Sequence, residues 1–184
     1  MTTQRLSLIG KWTALISFLG GIFIFLLYYL TSADSLLFLG YGFIAIVGLI
    51  NLGLLISLFV RASHDKDNRK KIYSTCGLLL LNIPIMLSYC WFAIILLATM
   101  RITFINTSQT KLSDIQTIGC DSKHIDSLQP GQSQTIWVGI NGDCALDIEY
   151  FANGQKKIET VAGYLTSGMG QKLTFNIGTD QKPF

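Results

Sequence analysis

The sequence predicts a unit of three transmembrane helices followed by a small all-β antiparallel sandwich. Between Gly10 and Met100, long apolar runs are interrupted only by Lys11, Asp34 and one charged loop. After Met100, charge returns at an ordinary density, and apolar residues alternate with polar ones as they do in half-buried strands. We therefore expect a short N-terminal segment at 1–11, a transmembrane unit at 12–100 and a β domain at 101–184.

Each apolar run has the length of a membrane span. About 20 apolar residues cross a hydrocarbon core about 30 Å thick, and the runs cover residues 12–30, 36–60 and 77–100. The first run could instead belong to a cleaved signal peptide, since Thr31-Ser32-Ala33 would suit a signal peptidase. Its 19 residues exceed the apolar stretch of about 7–15 residues that such peptides usually carry. We therefore favour an uncleaved helix.

Polar and small residues inside the runs predict how the helices pack. The amides of Asn51 and Asn82 are costly in hydrocarbon unless they are hydrogen-bonded, so both are expected to face other helices. Interhelical hydrogen bonds are the favoured interpretation, and a polar path or ligand site is the alternative. Pro84 removes one helical hydrogen bond and predicts a kink in the third helix. Gly53 and Ser57 form a small-residue pair that would allow close helix packing.

A basic loop at 61–71 determines the predicted orientation. It holds five basic and two acidic residues, whereas the turn at 31–35 has no Lys or Arg and segment 1–11 has Arg5 and Lys11. Lys and Arg collect on the cytoplasmic side of short loops. We therefore expect a cytoplasmic N-terminus and loop, and a periplasmic β domain at a bacterial inner membrane. Contact with anionic lipid is a further expected role of positions 69–71. The topology-determining residues are Arg61, Lys66, Arg69, Lys70 and Lys71.

The C-terminal part is predicted to contain about six short strands separated by turns. Asn153-Gly154 is a type I′ hairpin signal, and residues 121–131 are expected to connect two strands without forming one. The pattern Leu128-x-Pro130-Gly131-x-Ser133-x-Thr135, which enters a strand, resembles segments of immunoglobulin-like sandwich domains of cell envelopes. This resemblance covers about eight residues and implies an immunoglobulin-like fold without implying an activity.

Cys120 and Cys144 are the two cysteines that follow Met100, and each borders a predicted strand. Outside the cytoplasm, two such cysteines are expected to form a disulfide. Closing a loop of about 25 residues would stabilise the domain by about 3 kcal/mol in the chain-entropy model. Free thiols are one alternative. A zinc site with His124 is another, although it would need a fourth ligand.

Charge and motif content restrict the function. The β domain carries seven basic and eight acidic residues, so it offers no basic face for nucleic acid. The sequence contains no glycine-rich phosphate loop, no catalytic motif and no metal-ligand motif. We therefore expect neither an enzyme activity nor a cofactor.

The resulting expectation is a non-enzymatic membrane protein that presents a disulfide-stapled β domain at the outer face of the membrane. It would act as an accessory or interaction subunit of a membrane or envelope complex, in contact with lipid and with a protein in the membrane or periplasm. Homo-oligomers are a further option. One alternative is a small transport or channel component formed by self-association through Asn51 and Asn82. Another is a ligand-sensing β domain, with Trp137, Tyr150 and Tyr164 as candidate exposed contacts.

Overall fold

The computed structural model describes residues 2–179 and 183–184. These residues form three α-helices followed by seven β-strands. The chain divides into two compact units, Met1–Ala93 and Ile94–Phe184. The first unit is helical, and the second contains the last turn of the third helix together with all seven strands.

The helices α1 (Thr3–Thr31), α2 (Asp34–His64) and α3 (Arg69–Leu97) are each long and apolar enough to cross a membrane. All three begin before the predicted spans, because polar residues at their ends continue the helical hydrogen bonding. Only Asp65–Asn68 separates α2 from α3, so most of the predicted basic loop is helical. The third helix is continuous through Pro84, and the kink there stays a prediction.

A small apolar core joins the three helices. Gly10 of α1 lies against α3, where a Cβ atom would be 2.7 Å from Thr75 Cγ2. A larger residue at position 10 would therefore force α1 and α3 apart. The buried core residues are Ala14, Leu58, Ala62, Ile72, Cys76 and Leu79.

The second unit is a two-sheet β structure. Its strands are β1 (Thr99–Asn106), β2 (Leu112–Ile118), β3 (His124–Leu128), β4 (Ser133–Gly139), β5 (Cys144–Ala152), β6 (Gln155–Leu165) and β7 (Lys172–Ile177). The strand orders in the two sheets are β4-β1-β7 and β3-β2-β5-β6. Neighbouring strands run antiparallel except for β1 and β7, which are parallel. The third strand lies inside the segment 121–131, so the prediction of a connection without a strand is wrong there. The immunoglobulin-like detail stays a prediction.

Side chains from both sheets form one apolar core. On the three-stranded sheet, the rings of Phe104 and Phe175 meet edge to face with their centroids 6.0 Å apart. The hairpin between β5 and β6 turns at Asn153 and Gly154, whose positive φ angles of 52° and 76° suit the predicted type I′ turn. Along β6, the N–H of Phe184 donates to the Val161 carbonyl at 2.9 Å.

Two turns of the β unit hold the end of α3. The N–H of Ile140, after β4, donates to the Ala98 carbonyl at 2.8 Å, and the N–H of Gly170, before β7, donates to the Leu97 carbonyl at 2.8 Å. A Cβ atom at position 170 would lie 2.2 Å from the Leu96 carbonyl oxygen, so only glycine fits. The last residue of α3 and the residue after it, which belong to the second unit, are therefore hydrogen-bonded to its turns.

Candidate functional site

A disulfide joins Cys120 and Cys144, as predicted, with their Cα atoms 5.4 Å apart. Cys120 follows β2 and Cys144 begins β5, and these strands are neighbours in the four-stranded sheet. Gly119 makes this approach possible, because its φ is +104° and a Cβ atom there would lie 2.0 Å from the Ala145 carbonyl oxygen. Since the two sulfurs are bonded to each other, the free-thiol and zinc alternatives are excluded.

The segment after the disulfide is tied to the other sheet through Asp121. Lys123 Nζ lies 2.8 Å from Asp121 Oδ2, and the N–H of Gly139, at the end of β4, donates to the same oxygen at 3.4 Å. The Lys123 side chain and the Gly139 N–H lower the pKa of Asp121 below its ordinary value. The disulfide and this carboxylate therefore stabilise the end of the β unit at which β1 begins.

Two of the three predicted aromatic contacts are exposed. The side chain of Trp137 on β4 is 40% exposed, and that of Tyr164 on β6 is 57% exposed. The guanidinium carbon of Arg101 lies 5.8 Å from the centre of the Trp137 ring. This cation–π contact orients the indole on the outer face of its sheet.

The third predicted contact, Tyr150, is wrong as an exposed residue, because only 1% of it is accessible. Tyr150 follows Leu146 and Ile148 in the alternation of β5, and all three side chains point into the core. Its hydroxyl donates to the carboxylate of Glu159 on β6. Burial, and then the Glu159 carboxylate, raise the pKa of Tyr150 well above its ordinary value.

A recess of about 340 Å³ lies beside this tyrosine–carboxylate pair. Its walls include Lys157, Thr160 and Phe175. The N–H of Gly178 donates to Glu159 Oε1 at 3.2 Å, so the oxygen that receives the Tyr150 hydroxyl already has a second donor. The tyrosine–carboxylate pair therefore lies at the edge of the core, and the Glu159 carboxylate is hydrogen-bonded by the protein's own Tyr150 hydroxyl and Gly178 N–H.

His124 lies on the surface between two carboxylates. Its Nδ1 is 3.4 Å from Asp114 Oδ1, and its Nε2 is 3.1 Å from Asp126 Oδ1. Asp114 has a positive φ of 50° next to an irregular step in the pairing of β2 with β5. Within the described residues, no three His, Cys, Asp or Glu side chains are placed to hold a metal ion.

Both intramembrane asparagines bond to α1. Asn51 Nδ2 on α2 donates to Ser17 Oγ at 3.2 Å, and Asn82 Nδ2 on α3 donates to the Ala14 carbonyl at 3.1 Å. These bonds support the interpretation of both amides as interhelical contacts. A third polar contact was not predicted: the buried hydroxyls of Ser7 and Thr75 lie 2.7 Å apart. Small hydroxyl residues in apolar helices were the available signal for it.

A polar network that was not predicted joins the start of α1 to the turn between α2 and α3. Thr3 Oγ1 donates to Asp65 Oδ2 at 2.6 Å and accepts from Arg61 Nε at 3.1 Å. Asn68 donates to both oxygens of Asp65 from its side chain, at 3.1 and 3.0 Å. The Thr3 hydroxyl and the Asn68 amide lower the pKa of Asp65 below its ordinary value of 3.8.

Replacing Asp65 with asparagine is expected to lower the thermal stability of the helical unit at pH 7. Because the pKa of Asp65 is lower in the folded state than in the unfolded state, its contribution is present above pH 3.8 and is lost as the pH falls further. Melting of the full chain in mild detergent should thus separate wild type from Asp65→Asn at pH 7, with the difference shrinking in acid. Asp67→Asn, an exposed acid in the same turn, is the control. Equal melting of all three chains at pH 7 would contradict the role of the network.

These features are those of a helical membrane protein that carries a small disulfide-bonded β domain. No protein-family model matches the chain, and neither a curated protein nor a solved structure matches it. Its function is therefore inferred from its own residues and contacts.

Proposed function

We propose that the chain is a non-enzymatic integral membrane protein that serves as an interaction subunit of a membrane or envelope complex. One observation carries this proposal: three glycines of α2 lie on parts of the helix surface that the other described side chains leave uncovered. Apart from the backbone of α2 itself, no atom of the described residues lies within 4 Å of a Cβ placed at Gly42, Gly48 or Gly53, whereas the corresponding positions of Gly10 and Gly20 in α1 are closely packed. The unused glycines make part of α2 available to another helix.

Gly53 and Ser57 form the most suitable contact on α2. They lie one turn apart and both are exposed. Ser57 Oγ donates to the Gly53 carbonyl at 2.8 Å, so the hydroxyl is satisfied within its own helix. A glycine inside a helix costs about 1 kcal/mol relative to alanine, and the close approach of a partner backbone would offset this. Large apolar side chains, including Leu49 and Ile56, flank the pair and are exposed as well.

The proposed topology has a cytoplasmic N-terminus and a periplasmic β domain at a bacterial inner membrane. The bond between Thr3 and Asp65 supports it, since this bond keeps the start of α1 beside the basic α2–α3 turn. The start of α1 and the α2–α3 turn then lie on the same side of the membrane, and the basic residues of both predict that this side is cytoplasmic. The disulfide supports an oxidising compartment for the β domain.

A contact function is favoured over a catalytic one by the polar groups of the β unit. The Glu159 carboxylate is engaged by Tyr150 and Gly178. The imidazole of His124 lies between two exposed carboxylates, on the surface and outside the recess beside Tyr150. These groups hold the domain together, and its exposed surfaces are left for recognition.

A photo-crosslinking residue at position 46 tests the α2 surface in cells. Ile46 is exposed on the same side of α2 as Gly53, and we expect one discrete adduct with a partner protein. Gly53→Ile should reduce that adduct by about tenfold, which corresponds to about 1.4 kcal/mol of lost association energy. Among the described residues, a Cβ atom added at position 53 has no neighbour within 4 Å, and the position is exposed, so the variant should fold. Leu49→Ile preserves side-chain size on the same face and should leave the adduct unchanged.

Three outcomes would contradict the proposal. The first is the absence of an adduct at full expression, and the second is an adduct that Gly53→Ile leaves intact. The third is an adduct between two copies of the chain, which would assign the surface to a homo-oligomer.

A further inference from the structure

The exposed apolar side chains of the β unit lie mainly at one of its ends. The end that joins α3 is defined by the turns after β4 and before β7, which are hydrogen-bonded to Ala98 and Leu97. The opposite end includes the turns at 107–111, 129–132 and 153–154, and none of these three turns carries an exposed large apolar side chain. The exposed large apolar residues described after Met100 are Ile118, Trp137, Ile158, Tyr164 and Phe184.

Strand register places three of these residues at the end that joins α3. Trp137 pairs with Arg101, two residues after β1 begins at Thr99. Tyr164 precedes Leu165, which pairs with the first residue of β5. Ile118 is the last residue of β2, two positions before the disulfide. Three different strands therefore place an exposed apolar side chain at the same end of the unit, namely Trp137, Ile118 and Tyr164.

We propose that this end of the β unit lies in the headgroup layer of the bilayer, with Trp137 and Tyr164 in contact with lipid. Turns at this end are hydrogen-bonded to Leu97 and Ala98, directly after Ile94 and Ile95, which are exposed in the last turn of α3. A helix that crosses the membrane presents such residues to lipid. We therefore expect lipid to contact this surface, because the membrane-spanning helix α3 ends beside it. The inference goes beyond the proposed function, because it needs no partner protein.

The distances fit this layer. Two residues of β1 span about 7 Å at about 3.3 Å per residue, so Trp137, which pairs with Arg101, lies about that distance along the strand from Thr99. The polar region on each side of the hydrocarbon core is about 5–8 Å thick. Trp and Tyr favour that region, because their rings are apolar at one end and polar at the other. Both rings would therefore anchor the β unit at a fixed depth.

Lipid quenching of Trp137 tests the proposal. The full chain with Trp12→Phe and Trp91→Phe retains Trp137 as its one tryptophan, and it would be placed in phosphatidylcholine nanodiscs, which expose both membrane faces to the solution. We expect lipids brominated close to the headgroup to reduce Trp137 emission, and aqueous iodide to reduce it much less. The matched control moves the reporter to the opposite end, through Trp137→Phe and Gln132→Trp, where iodide should quench and brominated lipid should not.

Two further variants keep the test decisive. A chain with Trp91 as its one tryptophan reports whether α3 crosses the bilayer, because lipids brominated deep in the chains should then quench it. If the tryptophan substitutions prevent folding, a nitroxide on Tyr164→Cys, with Cys76→Ala and Cys90→Ala, measures depth independently. It should collide more with oxygen than with a water-soluble nickel chelate.

Two results would overturn the inference. One is that iodide quenches Trp137 as strongly as it quenches the control tryptophan at position 132, while brominated lipid does not quench Trp137. The other is protection of Trp137 from both quenchers, which would indicate that protein covers the ring. Normal quenching of Trp91 in the same nanodiscs would show that the failure concerns the β unit and leaves the membrane unit intact.

Discussion

Tyr150→Ala is expected to lower the free energy of unfolding of the β unit by about 3–5 kcal/mol, the usual loss for an aromatic residue removed from a core. The ring is 1% exposed and lies between inward-facing residues of both sheets. Its removal therefore leaves a cavity that the surrounding strands can fill only partly. Pulse proteolysis of the full chain in mild detergent, across a urea gradient, would measure the loss.

Tyr150→Phe separates the ring from its hydroxyl. This variant keeps the packing but removes one of the two donors to the Glu159 carboxylate, the Gly178 N–H being the other, so a smaller loss of about 1–3 kcal/mol is expected. It should also change the alkaline response. Because the pKa of Tyr150 is raised in the folded state, the wild-type chain keeps this contribution below pH 10.0 and loses it as the pH rises further. The phenylalanine variant lacks that dependence. Equal losses for Ala and Phe would show that the ring contributes nothing to the packing.

The alternation within β5 contained the information needed to place Tyr150. Leu146 and Ile148 have the same parity and are both apolar, so the strand pattern assigns the tyrosine to the core. The prediction of an exposed contact gave weight to the residue type instead of its position. For Trp137 the same rule works, since its neighbours Ile136 and Val138 are the inward residues of β4.

The elements that were missed depend on contacts between residues far apart in the sequence. The third strand, His124–Leu128, has two apolar residues in five, and its pairing with β2 stabilises it as a strand. The parallel pairing of β1 with β7 joins residues about 70 positions apart, such as Arg101 and Lys172. No local pattern distinguishes this arrangement from an antiparallel one. Local alternation predicted the other six strands because each of them buries one face.

In the membrane unit too, features that depend on local sequence were predicted, whereas a contact between distant residues was not. Three helices follow directly from the length of the apolar runs. The bonds of Asn51 and Asn82 to α1 follow from the cost of burying an amide alone. The contact between Thr3 and Asp65, 62 residues apart, involves two polar side chains that solvent could equally well satisfy. Only the packing of α1 against α2 brings them together, and the sequence alone does not determine that packing.

Removing the disulfide, by Cys120→Ala with Cys144→Ala, is expected to lower the free energy of unfolding of the β unit by about 3 kcal/mol. The cysteines are 24 residues apart, so the bond restricts a loop of the unfolded chain that β3 and β4 must otherwise order. Reductant should shift the wild-type chain to the stability of the double variant and leave that variant unchanged. Cys76→Ala with Cys90→Ala is the matched control, because both of these cysteines are free and the response to reductant should persist.

The same cysteines test the topology of the membrane unit. In whole cells quenched with acid, denatured without reductant and treated with a large maleimide, two of the four cysteines should react if the β domain lies in an oxidising compartment. Adding reductant before the maleimide should raise the number to four. Reaction of all four without reductant would place the domain in the cytoplasm and contradict the charge-based orientation, since Arg61 and its basic neighbours would then lie on the opposite side. Because the disulfide and the basic residues occupy different units of the chain, agreement between the two would support the proposed topology on independent grounds.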